Sequence, residues 1–346
     1  VDQINSTPFA LGYRMPARFD EHAQTLVTFP PIEEGIATDI GGFRDEIEAI
    51  VRGIARFEQV TLIADPADFA EATTRVGDVA DVVEIPVDLC WIRDNGPIFV
   101  RNEAGELAGV HFGFNGWGGR FSCDKTREMP AKLLDLLGIT RFSTPFIGEG
   151  GGMSVDGLGT LITTEQNMRN DNRYAGISRD EVERHLHDYL GIETVIWLPL
   201  GLREDDATDG HVDNVVEFVA PGKVLVQTMP DKANPNYELL KENLEILKTA
   251  RDALGRQLDI IEMDVLPYAT VRDKRMAIPY TNAYVLNGAM VAPEVDPKLD
   301  DRGFKILEEA YPGRELVTCR SEWQALAGGG IGCVTQQIPA SKTKGA

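Results

Sequence analysis

Long apolar runs are missing: nothing in the 346 residues approaches a membrane span. The opening stretch, VDQINSTPFALGYRMP, holds no signal-peptide core. Cysteine is scarce. The four present (Cys90, Cys123, Cys319, Cys333) are far apart, without a CxxC pair or zinc-finger spacing. That disfavours a disulfide framework and leaves free thiols of a reducing cytoplasm as the expectation. With only five histidines and no HExxH, neither a structural nor a catalytic zinc site is expected. Basic charge is in deficit, 34 Lys and Arg against 55 Asp and Glu, a formal −21. A surface for nucleic acid or anionic membrane, which needs clustered cations, is thereby disfavoured. No Pro/Ser-rich or charged linker interrupts the chain, so residues 1–346 are expected to form one domain. What is present, 43% apolar and 26% charged residues, is the composition of a soluble globular protein.

One pattern recurs: an amphipathic helix, usually a glycine, then a short apolar strand. Phe43, Ile47, Ile50, Val51 and Ile54 share a helical face before VTLIAD. Met129 to Leu137 stops at Gly138 before ITRFSTP. Ser178 and Glu181 form a capping box ahead of Val182, Leu186 and Leu190, with Gly191 before TVIWLPL. Residues 237–254 and 303–311 repeat the plan, so strands begin near 60, 140, 194, 258 and 315. Between these units lie hairpin signals at Asn102–Gly105, Asp156–Gly159, Pro221-Gly222 and Asn287-Gly288. Hairpin, helix and strand repeated about five times predict a single closed α/β assembly.

The polar residues gather beside glycines and turns. Cys333 lies in GGGIGCVTQQIP, where bare backbone permits close approach to the thiol. If 211–213 is extended, His211 and Asp213 of DGHVDN face one way; a histidine that merely satisfies hydrogen bonds is the alternative. WIRDNGP reads as a pocket rim bearing Trp91 and Asp94, or as a loop pinned by an Arg93–Asp94 pair. FNGWGGR sets Asn115 and Trp117 on a flexible loop able to cover a ligand, or is an ordinary turn. Glu149 enters EGGGMSVDG, which lacks the Gly-Lys-Ser/Thr ending of a phosphate loop. A thiol, a histidine and three carboxylates would hold a cation, and a planar guanidinium matches carboxylates through paired hydrogen bonds.

At this point the chain resembles the agmatine deiminase family of the guanidine-modifying superfamily, which includes bacterial peptidylarginine deiminase. RMPARFDEH, WIRDNGP, FNGWGG, EGGGMSVDG, TEQNMRNDNR, VIWLPLGL, DGHVDN, YTNAYVLNGAMVAP and GGGIGCVTQQIPA carry the likeness in order. The resemblance implies a five-bladed α/β propeller, five ββαβ modules about a pseudo-fivefold axis (the pentein fold). It implies Cys333 as nucleophile on the guanidino carbon and His211 as acid and then base. Asp94 and Asp213 would grip the guanidinium, with Glu149 beside His211. Trp91, Trp117, Gly330, Asn214 and Asn115 are the substrate-binding candidates. The reaction needs no metal or organic cofactor and hydrolyses a guanidino compound to its ureido product and ammonia, agmatine first. The partner implied is a small cationic guanidine, and homo-oligomers are expected of the family. The low-dielectric pocket and the substrate's charge together are expected to favour the thiolate.

Departures from the family pattern surround these residues. Gly330 and Gly332 replace the Asn and His of GGGNIHC, Ser154 replaces a histidine, and Asn167 a cysteine. Phe19 and Phe29 replace tryptophans, and Asp88-Leu89 stands for Asn-Asp. They predict a roomier neighbourhood for Cys333 and bear on the substrate's tail. Arginine or another alkyl or aryl guanidine, amidino transfer to a second amine, and a silent guanidine-binding protein are the alternative readings.

Overall fold

A computed structural model describes residues 6–32 and 40–341. Residues 1–5, part of the stretch read for a signal-peptide core, lie outside the described residues. No helix among those described is long and apolar enough to cross a membrane.

Among the described residues, five sheets share one plan: two antiparallel strands, a helix, then a third strand parallel to the second. Strands 98–101, 107–113 and 140–147 enclose the helix Met129–Leu137. Strands 154–155, 160–164 and 194–198 enclose Arg179–Leu190. Strands 216–220, 223–227 and 259–263 enclose Tyr237–Thr249, and strands 284–286, 289–294 and 315–320 enclose Asp300–Ala310. The fifth sheet takes its strands from both ends of the chain: 335–339 lies antiparallel to 22–28, which runs parallel to 59–64. A fourth strand, 81–84, extends it after the helix Phe69–Val76. The expected strand starts fall within a residue of the observed ones and each expected helix forms, but the one expected over 237–254 ends at Thr249, after which Arg251 bridges Gln257. A separate hairpin, 268–271 with 274–277, stands outside the plan.

Each helix covers its own sheet for the reason its sequence gives. In Ile40–Ile54 the residues Phe43, Ile47, Ile50, Val51 and Ile54 are all buried, and they pack on Val60 and Leu62. Truncating Ile50 to Ala would cost roughly 2–5 kcal/mol by transfer and cavity formation. Ser178 does close a reciprocal capping box with Glu181, and Gly191 ends that helix at φ +70°, a conformation that glycine adopts without Cβ strain.

Where the sheets meet, the interior is polar. Arg18 donates to Glu217 Oε2 at 2.9 Å and to the Gly150 carbonyl at 2.9 Å. Arg93 donates to Gln337 Oε1 at 2.9 Å, to Gln336 and to the Gly332 carbonyl. The Arg93–Asp94 pair considered from sequence does not form; the guanidinium instead ties the 91–97 turn to the last strand. Ser154 belongs to this interior too, donating to Glu217 Oε1 at 3.1 Å.

Candidate active site

Cys333 sits on the turn before the last strand, its backbone carbonyl accepting from Arg93 N at 3.1 Å. Only 6% of it is exposed. With Asp94, Thr208 and the rings of Trp91, Trp117 and Phe121 it lines a cleft of about 20 Å³, closed by Ala207, Ala327, Gly328 and Gly329. A Cβ on Gly329 would lie 2.2 Å from the Trp91 ring. The glycine is what lets this turn lie against the indole.

Asp94 is fixed from two sides. Trp117 Nε1 donates to its Oδ2 at 3.1 Å and Gly151 N to its Oδ1 at 2.9 Å. Trp117 reaches it from a left-handed backbone, φ 54° and ψ 56°, within the 116–119 turn. The His211 ring nitrogen Nδ1 lies 3.7 Å from Asp94 Oδ1, and Nε2 lies 2.8 Å from Glu149 Oε2. A Cβ on Gly151 would come within 2.4 Å of that imidazole, so this glycine is what admits His211, while Gly150 and Gly152 make room for the Arg93 carbonyl and Asn167.

Glu149 has further partners. Arg173 grips both its oxygens, at 2.9 and 2.8 Å, and Asn167 donates to Oε2 at 3.1 Å. Arg173 also pairs with Asp209, which Arg120 holds through two bonds of 2.6 and 2.7 Å. Asp213 is the contrast. It is fully buried, and neither carboxylate oxygen has a hydrogen-bond partner. The nearest cation is Arg18, at 3.9 Å, already engaged by Glu217.

Charge follows from these contacts. Burial lowers the His211 imidazolium, but Asp94, Glu149 and Asp205 outweigh it and carry the group up to about 10. Burial raises Asp213 to about 7 against the pull of Arg18 and His211. It raises Asp94 as well, opposed chiefly by His211. Glu149 stays below its ordinary value despite burial, because His211 and Arg173 hold it ionised. Burial, with Asp213 and Asp94 adding to it, drives the Cys333 thiol well above the ordinary range. The low-dielectric pocket thus opposes the thiolate, which corrects half of the sequence expectation.

Three other readings change. Val212–Asn214 is a 3-10 turn rather than a strand, so alternation does not explain how His211 and Asp213 share the site. The site does not include Asn115: its amide is spent on Gly118 N at 2.8 Å and the Asn172 carbonyl at 3.0 Å, bracing the loop. Nor is the space beside Cys333 roomier for having Gly330 and Gly332. Asn282 fills it, accepting from Gly332 N at 3.0 Å and standing 3.6 Å from the thiol, and a Cβ on either glycine would meet its Oδ1 within 3 Å. Asn214 donates to Asp205 at 3.2 Å and accepts from Asn282 at 3.3 Å. Asn214 and Gly330 line a larger neighbouring cavity. Arg173 and Asn282 went unassigned in sequence, although both lie in motifs, TEQNMRNDNR and YTNAYVLNGAMVAP, that carry the family likeness.

The model of the Porphyromonas-type peptidyl-arginine deiminase family matches residues 14–339. The chain belongs to that family. It is 38% identical to an agmatine deiminase of Pseudomonas aeruginosa, across 97% of this chain and 98% of the relative. An agmatine deiminase of Medicago truncatula is 36% identical over 97% and 99% of the two chains. The solved agmatine deiminase of Enterococcus faecalis superposes with a TM-score of 0.95 at 26% identity, covering 99% of this chain and all of that one. The α/β fold is thus shared along the whole length.

Proposed function

We propose that this chain is a cysteine-dependent iminohydrolase. It converts a guanidino compound to its ureido product and ammonia, and agmatine to N-carbamoylputrescine is the reaction its relatives' names bring. The carrying observation is Asp213, a fully buried carboxylate with two unpartnered oxygens close enough to act on Cys333 and Asp94. A buried anion without hydrogen bonds is costly unless a cation arrives. A guanidinium between Asp94 and Asp213 supplies one, and neutralises the two charges that add to burial in keeping the thiol protonated. The cleft holds room for about one water, so the 207–208 and 327–329 turns yield as substrate enters.

The chemistry then follows from the proton positions. As the cationic guanidinium docks, the Cys333 proton passes to solvent water, and the thiolate Sγ bonds to the guanidino carbon while one C–N double bond opens to a single bond. His211, an imidazolium between Asp94 and Glu149, protonates the departing nitrogen, which leaves as ammonia. The S-alkylthiouronium that remains keeps the substrate's tail. Neutral His211 takes a proton from water, the hydroxide adds to the same carbon, and the C–S bond breaks to release the ureido product. Trp91 and Trp117 flank the guanidine, and Gly330 and Asn214 border its tail. Five equivalent ββαβ sheets support a five-bladed propeller about a pseudo-fivefold axis, acting as one catalytic domain. Four free thiols are in keeping with a cytoplasmic enzyme, and homo-oligomers with the family.

The test is ammonia release matched to ureido product, across agmatine, arginine and alkyl or aryl guanidines. Cys333→Ser should abolish turnover, by about 10⁴-fold or more, with its unfolding transition retained. Silence across the panel, or turnover in the serine variant, would overturn the reading.

A further inference from the structure

The Cys333 thiol donates to Asn282 Oδ1 across 3.6 Å, yet Asn282 takes no part in the reaction steps above. It is buried, at the end of the 3-10 turn Tyr280–Asn282. That turn is anchored without the amide. Tyr280 Oη donates to Asp300 Oδ1 at 2.6 Å, and Thr281 Oγ1 to the Asn214 carbonyl at 2.9 Å. Gly332 N also donates to the Asn282 backbone carbonyl, at 2.9 Å. The side chain is therefore not what holds the turn against the loop of the thiol.

What the surroundings fix is the amide's polarity. An ionised carboxylate can only accept, and Asp205 accepts from Thr208 N, His211 N and, at 3.2 Å, Asn214 Nδ2. With its NH2 committed there, Asn214 presents Oδ1 to Asn282 Nδ2 at 3.3 Å. Asn282 is left with its oxygen toward the thiol and Gly332 N, which donates to it at 3.0 Å. Two amides in series thus carry the direction set by Asp205 to a neutral acceptor at the nucleophile.

A guanidinium needs such an acceptor, because it has more N–H donors than two bidentate carboxylates can take. Asp94 lines the cleft with Cys333, whereas Asn282 lines an adjoining cavity of about 400 Å³ with Gly330. Cleft and cavity share Phe121, Ala207, Gly328 and Gly329 as walls, so Asn282 stands on the side toward which the substrate's tail extends.

We infer, on the deiminase reading, that Asn282 Oδ1 is an acceptor shared by nucleophile and substrate. It holds the Cys333 S–H in the free enzyme and accepts a guanidinium N–H on the cavity side once substrate docks. Asn214 and Asp205 are positioning residues that act through it.

The experiment is Asn282→Leu in the full-length enzyme, which keeps bulk and deletes the acceptor, while Gly332 N retains the backbone carbonyl. One readout is KM and kcat for agmatine, or for the guanidine of the panel above that is turned over fastest. The other is alkylation of Cys333 without substrate, by iodoacetamide and by the bulkier N-ethylmaleimide, followed by peptide mass at one pH. KM should rise about tenfold, the effect of one hydrogen bond to a cation, with a smaller change in kcat. Alkylation should be about threefold faster, by the same factor for both reagents, because the weak S–H donor has lost its acceptor and access has not changed. Asn214→Leu leaves Asn282 in place and unties its Nδ2. It should move both readouts the same way by less, and it carries the test if Asn282→Leu does not fold. An unmoved KM, or alkylation that is unmoved or favours one reagent, overturns the shared acceptor and leaves deimination standing. Silence of the parent toward the whole panel removes both.

Discussion

Glu149 and Asp213 are both carboxylates of the same site, both at most 2% exposed, and their surroundings are opposite. Glu149 is held by Arg173, Asn167 and His211 at hydrogen-bond distance. Asp213 is held by nothing within that distance. The first anion is complete within the protein, and with Asp94 it holds His211 in its charged form. In the proposed function the second is completed by the substrate's cation. Equal burial therefore separates into two roles once the partners are counted.

The comparison can be broken at either member. Glu149→Gln leaves the Arg173 guanidinium in the interior without one of its anions and replaces the anionic acceptor at His211 Nε2 with a neutral amide. We expect a loss of about 3–5 kcal/mol in unfolding free energy, the range for halving a buried pair, together with loss of turnover. Denaturant unfolding checks the first part. Asp213→Asn removes an anion that has no such partner. It should lower kcat/KM by about 10²–10³-fold, the usual cost of truncating a buried charge partner of a ligand, while leaving stability at pH 8 equal to or above the parent's. A stability loss matching that of Glu149→Gln would erase the distinction.

Stability against pH sharpens it further. A group whose pKa is raised by folding binds more protons folded than unfolded, so its contribution declines as pH rises between the two values. For Asp213 that window runs from about 4 in the unfolded chain to about 7. For His211 it runs from about 6.5 to about 10. The parent should thus lose stability across both windows, and Asp213→Asn across the upper one alone, as read by thermal unfolding in a pH series. The smallest effect is expected of Trp117→Phe, which deletes one donor to Asp94 and keeps the ring. About a tenfold rise in KM with little change in kcat is the expected result; an unchanged KM would release Asp94 from the substrate.

The repeat was legible because each helix announces itself locally, as with Ser178 and Glu181 at one end and Gly191 at the other. Of the fifth module only the helix and third strand were legible, since its two antiparallel strands lie at opposite ends of the chain and pair only through tertiary structure. At the site, Cys333, His211, Asp94, Asp213 and Glu149 stand out as reactive types among glycines, and the folded chain gathers them. What sequence withheld is pairing. Nothing in TEQNMRNDNR says that Arg173 closes on Glu149, or that Asn282 fills the space left by two glycines beside the thiol. The expectation for HVDN failed for a related reason: a 3-10 turn and a strand of three residues look alike until their hydrogen bonds are placed.

The central claim is that Cys333 attacks the guanidino carbon and ammonia is what leaves. Intact-mass and peptide analysis of enzyme acid-quenched during turnover tests it directly. The account predicts an adduct on Cys333 that retains the substrate's tail and lacks one ammonia. No adduct on Cys333, or one consisting of the bare amidino group after the tail amine has departed, would contradict it.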